Sequence, residues 1–260
     1  MISPIRAFSL RGVDTAAALD WLYVQTDLMG VLEGDDGITV WLEGALPALP
    51  FESVLVTEVP VRAEDALITG LERDVAIVVA DDLLVRPPWV ERPASFRGIE
   101  LVVPRGGAFG SGEHASTRAA LRCLHAVWDA PTRFADVGTG SGILALYAQV
   151  RGCRHIEACD IDAASVQAAR ELLPTANVHL GGPALLAPVD GMVANLTASE
   201  LVAAMPDMLA RWTRRCALVL SGMRQGEVEA VAALVGQPIA RRETVEPFTA
   251  LAYRGAAGVR

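Results

Sequence analysis

Residues 136–142 read Asp136-Val137-Gly138-Thr139-Gly140-Ser141-Gly142 and lie where a predicted strand, Arg133–Val137, gives way to a helix. Glycines here allow a tight turn and let a ligand approach the backbone without meeting a Cβ. A dinucleotide fingerprint, G-x-G-x-x-G, would need glycine or alanine at the position of Ile143. The motif D-x-G-x-G-x-G therefore favours S-adenosylmethionine (SAM), which has no pyrophosphate. A glycine-rich turn without a ligand is the alternative.

The chain around this turn alternates continuous apolar runs with helical stretches, which is typical of buried parallel strands and their crossover helices. The predicted strands are 133–137, 156–161, 177–180, 192–195 and 216–220; the predicted helices lie near 117–128, 143–151, 163–172, 198–209 and 226–234. A hairpin, 240–245 and 248–253, follows them. We predict an α/β fold with a doubly wound sheet and an antiparallel C-terminal hairpin, and a ligand beyond the carboxyl ends of the strands.

The first part of the chain predicts a separate, small α+β unit. Strands are expected at 5–10 and 51–59, a helix capped by Asp14 runs to about Leu28, and a tight turn at 34–37 joins two further strands. A charged helical piece, 63–73, and an apolar strand, 75–80, come next. We divide the chain into an N-terminal domain, 1–58, a helical connector with its lead-in strand, 59–92, and a ligand-binding domain, 93–260.

Two later strand ends carry polar side chains. Asp160 lies 22 residues beyond Gly138, where a carboxylate at a strand tip can accept hydrogen bonds from both ribose hydroxyls. Asp162 is better placed to cap the next helix. Asn195 ends the fourth strand; it either orients an attacking amine through its carbonyl oxygen or caps the helix that begins near Ala198. The residues alone leave both roles of Asn195 open.

The loop 106–117 has four glycines around Phe109 and leads into a helix. It can fold over a ligand, with Phe109 as the cover and Thr117 supplying a hydroxyl group. The alternative is a flexible hinge in which Ser116 or Thr117 caps the helix. His114 is expected to be structural, because the other histidines provide neither a catalytic triad nor metal-ligand spacing.

Composition limits the classes of partner. The 260 residues carry 22 basic and 31 acidic side chains, a net charge of -9, which argues against broad clamping of nucleic acid or anionic membrane but leaves a local basic patch open. Every basic residue is arginine. The four cysteines form no CxxC pair, so we expect free thiols and no metal site. No apolar run approaches the ~20 residues of a membrane span. We expect a soluble, cytoplasmic protein.

The loop at 108–117, Ala108-Phe109-Gly110-Ser111-Gly112-Glu113-His114-Ala115-Ser116-Thr117, resembles the A-F-G-T-G-x-H-x-T-T signature of the ribosomal protein L11 methyltransferase family (PrmA). Further segments follow in the order of that family: 136–142, Asp160-Ile161-Asp162, Val193-Ala194-Asn195-Leu196, Ser221-Gly222 and Ala250-Leu251-Ala252-Tyr253. The likeness is close over the catalytic half. It is looser over 1–58, which looks like a compact version of the family's ferredoxin-like recognition domain.

The resemblance implies a Rossmann-like, SAM-dependent methyltransferase that modifies lysine side chains and the N-terminal amine of a ribosomal protein. It implies a catalytic residue, Asn195, beside the reacting methyl group. The residues implied to bind SAM are Phe109, Gly110 and Gly112 in a lid, and Thr117, Asp136, Gly138, Gly140, Asp160 and Asn195. We expect a monomer with the ribosomal protein as its partner, free or on the ribosome, and no direct contact with nucleic acid or membrane.

The sequence departs from the family pattern in places. Ala66 and Gly70 stand in a connector that usually carries tryptophans, and Thr213-Arg214-Arg215 replaces a Pro-Gly-Gly before the fifth strand. Two alternative functions therefore stay open: methylation of a different protein or small molecule, and SAM binding without catalysis. Retention of Asn195 beside the glycine turn argues against the second.

Overall fold

The computed structural model describes residues 5–26, 28–34, 37–61, 75–104, 112 and 114–255. The chain forms two compact units, Met1–Val75 and Ala76–Arg260. The finer division at 58/59 and 92/93 stays a prediction, and the expected helix 63–73 lies outside the described residues.

The first unit is an antiparallel sheet with one described helix. Its elements are β1 (Ile5–Arg11), α1 (Thr15–Gln25), β2 (Leu28–Gly34), β3 (Gly37–Glu43) and β4 (Leu55–Val59). The strand order is β2-β3-β1-β4. Residues 44–54, which join β3 to β4, contain no helix. The second helix of a β-α-β-β-α-β unit is therefore absent from this connection, and the ferredoxin-like assignment stays a prediction.

Three sequence-based expectations for this unit were wrong in detail. The helix expected to run to about Leu28 ends at Gln25, and Leu28 begins β2. The last strand begins at Leu55 rather than Phe51, because a turn closes there with the amide of Val54 donating to the carbonyl of Phe51 at 3.2 Å. Asp14 occupies the N-cap position of α1 but makes no capping bond. Its carboxylate instead accepts a hydrogen bond from the Ser53 hydroxyl.

The second unit is built on the predicted doubly wound sheet. Its strands are β8 (Arg133–Val137), β9 (His155–Asp160), β10 (Asn177–Leu180), β11 (Gly191–Asn195), β12 (Leu218–Arg224), β13 (Arg241–Val245) and β14 (Phe248–Tyr253). They lie in the order β10-β9-β8-β11-β12-β14-β13. The first five are parallel, and β14 runs antiparallel to both of its neighbours. The order reverses between β8 and β11, which opens a crevice at their carboxyl ends.

Helices cover both faces of this sheet. They are α2 (Ala115–Ala126), α3 (Ile143–Val150), α4 (Ala163–Leu172), α5 (Ala198–Arg211) and α6 (Val228–Val235). Alternate strand residues enter opposite cores: Phe134, Val193 and Val219 pack with α2 and α3, and their neighbours pack with α5 and α6. Among the described residues, no helix is long and apolar enough to cross a membrane.

A smaller sheet extends the core beneath α2 and α3. It consists of β5 (Ile77–Ala80), β6 (Leu83–Arg86) and β7 (Ile99–Val102), in that order. Leu83, Val85 and Leu101 are fully buried in the same cluster as those two helices. Residues that the sequence suggested as a connector thus belong to the core of the second unit.

The boundaries of several predicted elements shift. The fifth parallel strand, expected at 216–220, begins at Leu218 and runs on to Arg224, with a register shift between Leu220 and Met223. The helix expected from Gly226 begins at Val228, after a short 3-10 turn. The C-terminal hairpin is confirmed, beginning one residue later than expected, at Arg241.

Two adjacent residues of α5 test the core. Leu201 is 0% exposed in the cluster under this helix, whereas Val202 is 49% exposed. We expect Leu201→Ala to lower the free energy of unfolding by about 2–5 kcal/mol, because it leaves a cavity. Val202→Ala, the matched control, should change it by less than about 1 kcal/mol. Urea denaturation measures both, and equal losses would contradict the assigned packing.

Candidate functional site

The glycine turn after β8 requires its glycines for conformation and for space. Gly138, Gly140 and Gly142 have φ angles of 68°, 53° and 88°, a left-handed region that side chains disfavour. A Cβ on Gly138 would come within 2.2 Å of a methyl carbon of Leu196. The turn therefore packs directly against the residue that follows β11, which brings the ends of the two strands together.

Asp136 supports this turn from beneath. It is 0% exposed, and its Oδ2 accepts hydrogen bonds from the Thr139 hydroxyl at 2.8 Å and the amide of Ala145 at 3.1 Å. Its Oδ1 has no partner among the described residues. Burial, with a further contribution from the charge of Asp160, raises the pKa of Asp136 to about 7. Asp136 thus shapes the turn and does not line the cavity beside it.

Asp160 is held at the tip of β9 by backbone amides. Its Oδ2 accepts from the amide of Gly140 at 2.9 Å, and its Oδ1 accepts from the amide of Asp162 at 3.0 Å. Each carboxylate oxygen keeps acceptor capacity for a further donor. Asp162 caps α4, as predicted, through bonds from the amide and hydroxyl of Ser165 at 2.9 and 2.8 Å. The two acids therefore have different roles, and only Asp160 lines the cavity.

Asn195 ends β11 and faces the cavity. Its Nδ2 lies 3.4 Å from the hydroxyl oxygen of Thr117, and its Oδ1 is buried with no partner among the described residues. The helix-capping alternative for Asn195 was wrong, because Thr197 caps α5 in a capping box with Glu200. Thr117 is 1% exposed and lies behind Asn195, outside the cavity lining. Its hydroxyl positions the amide of Asn195.

The start of α2 forms one side of the cavity. His114, rather than Ser116 or Thr117, is the N-cap, and its Nδ1 accepts from the amide of Ser116 at 3.3 Å. Ser221 on β12 donates its hydroxyl to the carbonyl of Ser116 at 2.9 Å, which fixes the helix to the sheet. The His114 ring packs against Phe248 at 4.9 Å. Burial and the nearby Arg118 lower the pKa of His114, so its ring is neutral near pH 7.

These elements enclose a cavity of about 670 Å³ at the carboxyl edge of the sheet. Four predicted site residues line it: Gly138, Gly140, Asp160 and Asn195. Phe109 and Gly110 lie outside the described residues. Gly112 has a φ of 88° and packs against Val85, where a Cβ would come within 2.6 Å of a methyl carbon. Gly112 is therefore a packing glycine and not part of the cavity lining.

Sequence reasoning missed several lining residues. Ile161, Gly181 and Phe248 line the cavity from three separate strand ends, and Glu200 and Asp207 line it from α5. Only Glu200 left a signal in the sequence, because the spacing Thr197-x-x-Glu200 predicts a capping box. The others come from segments whose proximity depends on the fold.

The charges of the cavity suit a cationic ligand. Three carboxylates line it, those of Asp160, Glu200 and Asp207, whereas no arginine does among the described residues. The described residues contain no cluster that could hold a metal ion. Burial raises the pKa of Cys159, the lining thiol, to about 12, so it is not a nucleophile near neutral pH. The arrangement offers hydrogen-bond acceptors and alignment, without an evident covalent catalyst.

Comparison with known proteins gives the family. The family model described as Ribosomal protein L11 methyltransferase (PrmA) matches residues 76–246. The chain belongs to this family. It is 38% identical over 162 residues to the ribosomal protein L11 methyltransferase of Thiobacillus denitrificans, covering 61% of this chain and 54% of that protein. It is 31% identical over 194 residues to that of Syntrophotalea carbinolica, covering 70% and 62%.

The chain thus spans between half and two thirds of the length of these PrmA relatives. A crystal structure of a ribosomal protein L11 methylase from Lactobacillus delbrueckii subsp. bulgaricus superposes with a TM-score of 0.63 at 24% identity, covering 69% of this chain and 98% of that one. This likeness confirms the Rossmann-like fold that the sequence predicts for the second unit.

The buried carboxyl of Asp136 predicts a pH dependence of stability in this PrmA-family chain. Its folded pKa of about 7 lies above the unfolded value, so between about pH 4 and pH 7 the folded state holds the extra proton. The stability that this proton contributes is present below about pH 4 and is lost as the pH rises through about 7.

Between about pH 4 and pH 7, we expect the free energy of unfolding of the wild type to fall by up to about 4 kcal/mol relative to that of Asp136→Asn. Above about pH 7 the difference between the two proteins should stay constant. Asparagine keeps an acceptor for Thr139 and Ala145 but does not titrate. Urea denaturation at a series of pH values measures the difference. Parallel curves for the two proteins would show that Asp136 is ionised throughout.

Proposed function

We propose that this chain binds SAM and transfers its methyl group to amines of ribosomal protein L11, at lysine side chains and the N-terminal amine. The observation that carries the proposal is the meeting of Gly138, Asp160 and Asn195 around one cavity at the sheet's switch point. Membership in the PrmA family supports the reaction and the acceptor.

The cavity fits SAM better than a phosphate-bearing nucleotide. Positive φ at Gly138 and Gly140 leaves the backbone open where a Cβ would intrude. Asp160 presents carboxylate oxygens suited to a ribose diol, and its acidic surroundings attract a cation. When bound, SAM supplies an electrophilic methyl group on a sulfonium, whose leaving group departs neutral. A phosphate would find no arginine among the described lining residues.

The residues of the chain would act by alignment and desolvation. A lysine amine has a reference pKa of about 10.4, and only its neutral form has a lone pair to attack with. A cavity that excludes water penalises the ammonium form and so lowers that pKa. Asn195 lines the cavity, and we assign its amide oxygen to accept a hydrogen bond from the amine and so aim the lone pair of the amine. Thr117 holds the amide of Asn195 in that orientation.

We also propose that the chain works as a monomer in the cytoplasm, where ribosomal proteins are made. A second candidate is the same transfer to an amine of another protein or of a small molecule. This candidate is favoured because the match covers only 54% and 62% of the length of two relatives that act on L11 by name. The residues that recognise an acceptor can therefore differ from theirs.

The deciding experiment uses methyl-labelled SAM and lysate from source cells that lack this protein. The purified chain is added, and labelled products are separated by size and identified. Label in the L11 band supports the proposal. Label in another protein or in a metabolite would show that the acceptor is a different molecule. A chain that binds SAM but labels nothing in the lysate would overturn the proposed enzymatic activity.

Asp160 and Asp162 provide a matched test of cofactor binding. We expect Asp160→Ala to weaken SAM binding by about 1–3 kcal/mol, roughly 5–150-fold, because it removes the acceptor for the ribose hydroxyls. Asp162→Ala should leave the affinity within about threefold, since that carboxylate caps α4. Isothermal titration calorimetry measures both, and equal effects would contradict the assignment of Asp160 to the ribose.

His114 tests whether the reaction needs a general base. Its Nδ1 is engaged by Ser116, and we assign it to the helix cap. We expect His114→Ala to retain a kcat within about tenfold of wild type, since one cap is worth only ~1 kcal/mol. The pH–rate profile should keep its shape, because the acceptor amine sets it. Abolished turnover with unchanged SAM affinity would make His114 catalytic.

A further inference from the structure

Five exposed arginines lie along the amino-terminal edge of the seven-stranded sheet, opposite the cavity. Arg133 begins β8, Arg154 precedes β9, and Arg254 follows β14, which runs antiparallel and so ends at this edge. Arg214 and Arg215 precede β12. We call these five residues, Arg133, Arg154, Arg214, Arg215 and Arg254, the arginine edge.

The strand register places Arg154 beside the start of β8 and Arg254 beside the start of β12. Arg133 pairs with His155, so Arg154 lies at the level of the residue before β8. Leu218 pairs with Tyr253, which brings Arg254 to the level of the residue before β12. The row crosses five adjacent strands in the order β9-β8-β11-β12-β14. At about 4.8 Å between strands it is about 19 Å long.

The charges of the arginine edge are not neutralised by ion pairs within the described residues. Arg242 and Arg241, in contrast, pair with Glu229 and Glu243. The guanidinium of Arg214 lies 5.7 Å from the centre of the Trp212 ring, and the charge of Arg254 acts on Asp129, where it opposes the rise in pKa that burial causes.

Two aspartates lie among the arginines, and both bond to other groups. Asp190 accepts from the amide of Arg133 at 3.2 Å, and Asp129 accepts from the amide of Ala217 at 3.5 Å. Five arginines against two aspartates make this edge positively charged, although the net charge of the chain is -9. The arginine edge is therefore a basic surface on an acidic protein.

A row of guanidinium groups matches a line of phosphates. The planar fork of arginine binds phosphate oxygens in bidentate fashion. A row about 19 Å long can contact several consecutive phosphates of one strand. Residues 129–133, 151–155 and 213–217 contain no phenylalanine, tryptophan, tyrosine or leucine to insert into a bilayer. A nucleic-acid backbone therefore fits better than a lipid surface.

We propose that the arginine edge binds the phosphate backbone of RNA. The choice of RNA over DNA rests on the proposed function, because a ribosomal protein acceptor is found beside RNA. The edge lies at the end of the sheet opposite the cavity, so RNA held there leaves the cavity open to an acceptor. The expectation of no direct nucleic-acid contact followed from the average charge, and the distribution of charge along this edge argues against it.

The test measures binding of a fluorescein-labelled, single-stranded RNA of roughly 20 nucleotides by anisotropy, from about 50 to 200 mM salt. We expect log K to fall with log salt at a slope of about −3.5 if all five arginines meet phosphates. Arg154→Gln combined with Arg215→Gln should reduce the slope by about 1.4 and weaken binding at least about tenfold at the lowest salt.

The matched control is Arg11→Gln combined with Arg97→Gln, which removes two exposed arginines elsewhere and should change binding less than about twofold. Circular dichroism melting checks that both variants stay folded. Equal losses in the two variants, or no binding at the lowest salt, would overturn the proposal. So would capture by phosphatidylserine vesicles in place of RNA.

Failure of this proposal is distinguishable from failure of the proposed function. Binding is measured without SAM or acceptor, and methyl transfer to free acceptor is measured without RNA. The Arg154→Gln/Arg215→Gln variant should keep wild-type transfer to free acceptor, because neither residue lines the cavity. If the chain transfers methyl groups but does not bind RNA, only the proposal that the arginine edge binds RNA is overturned, and the proposed function stands.

Discussion

The buried carboxylate of Asp136 holds the turn on which the whole cavity depends. It bonds the Thr139 hydroxyl and the first turn of α3, which fixes the path of the chain between them. That path aims the amide of Gly140 at the carboxylate of Asp160, and so links the tips of β8 and β9. Gly138 closes the other side by packing against Leu196 at the end of β11. Three strand tips therefore form one surface.

The fold was largely predictable because its strands are buried on both faces. Continuous apolar runs with crossover helices between them specify a doubly wound sheet, and from α2 to β14 the predicted order of helices and strands is the observed one. The sequence predicted the fold less well in segments that are only partly buried. It did not predict strand β6, because Leu83 and Val85 owe their burial to helices far along the chain.

The sequence predicted those site residues that the topology of the sheet alone brings close together. Gly138, Asp160 and Asn195 end strands of one parallel sheet, so their meeting follows from the fold class. Asp136 and Thr117 were expected to bind SAM, and neither lines the cavity, because strand parity and helix packing turn their side chains into the core. Glu200 and Asp207 were missed because only the packing of α5 brings them to the cavity.

The two edges of the sheet differ in charge, and this separates their proposed tasks. Carboxylates line the carboxyl edge, where a cationic acceptor would enter, and arginines line the opposite edge. The use of arginine throughout the chain then has a chemical consequence. A lysine near the cavity would be drawn to the same carboxylates and present its own amine for methylation. A chain without lysine has no such side-chain competitor, so every lysine amine that the acidic cavity attracts comes from another molecule.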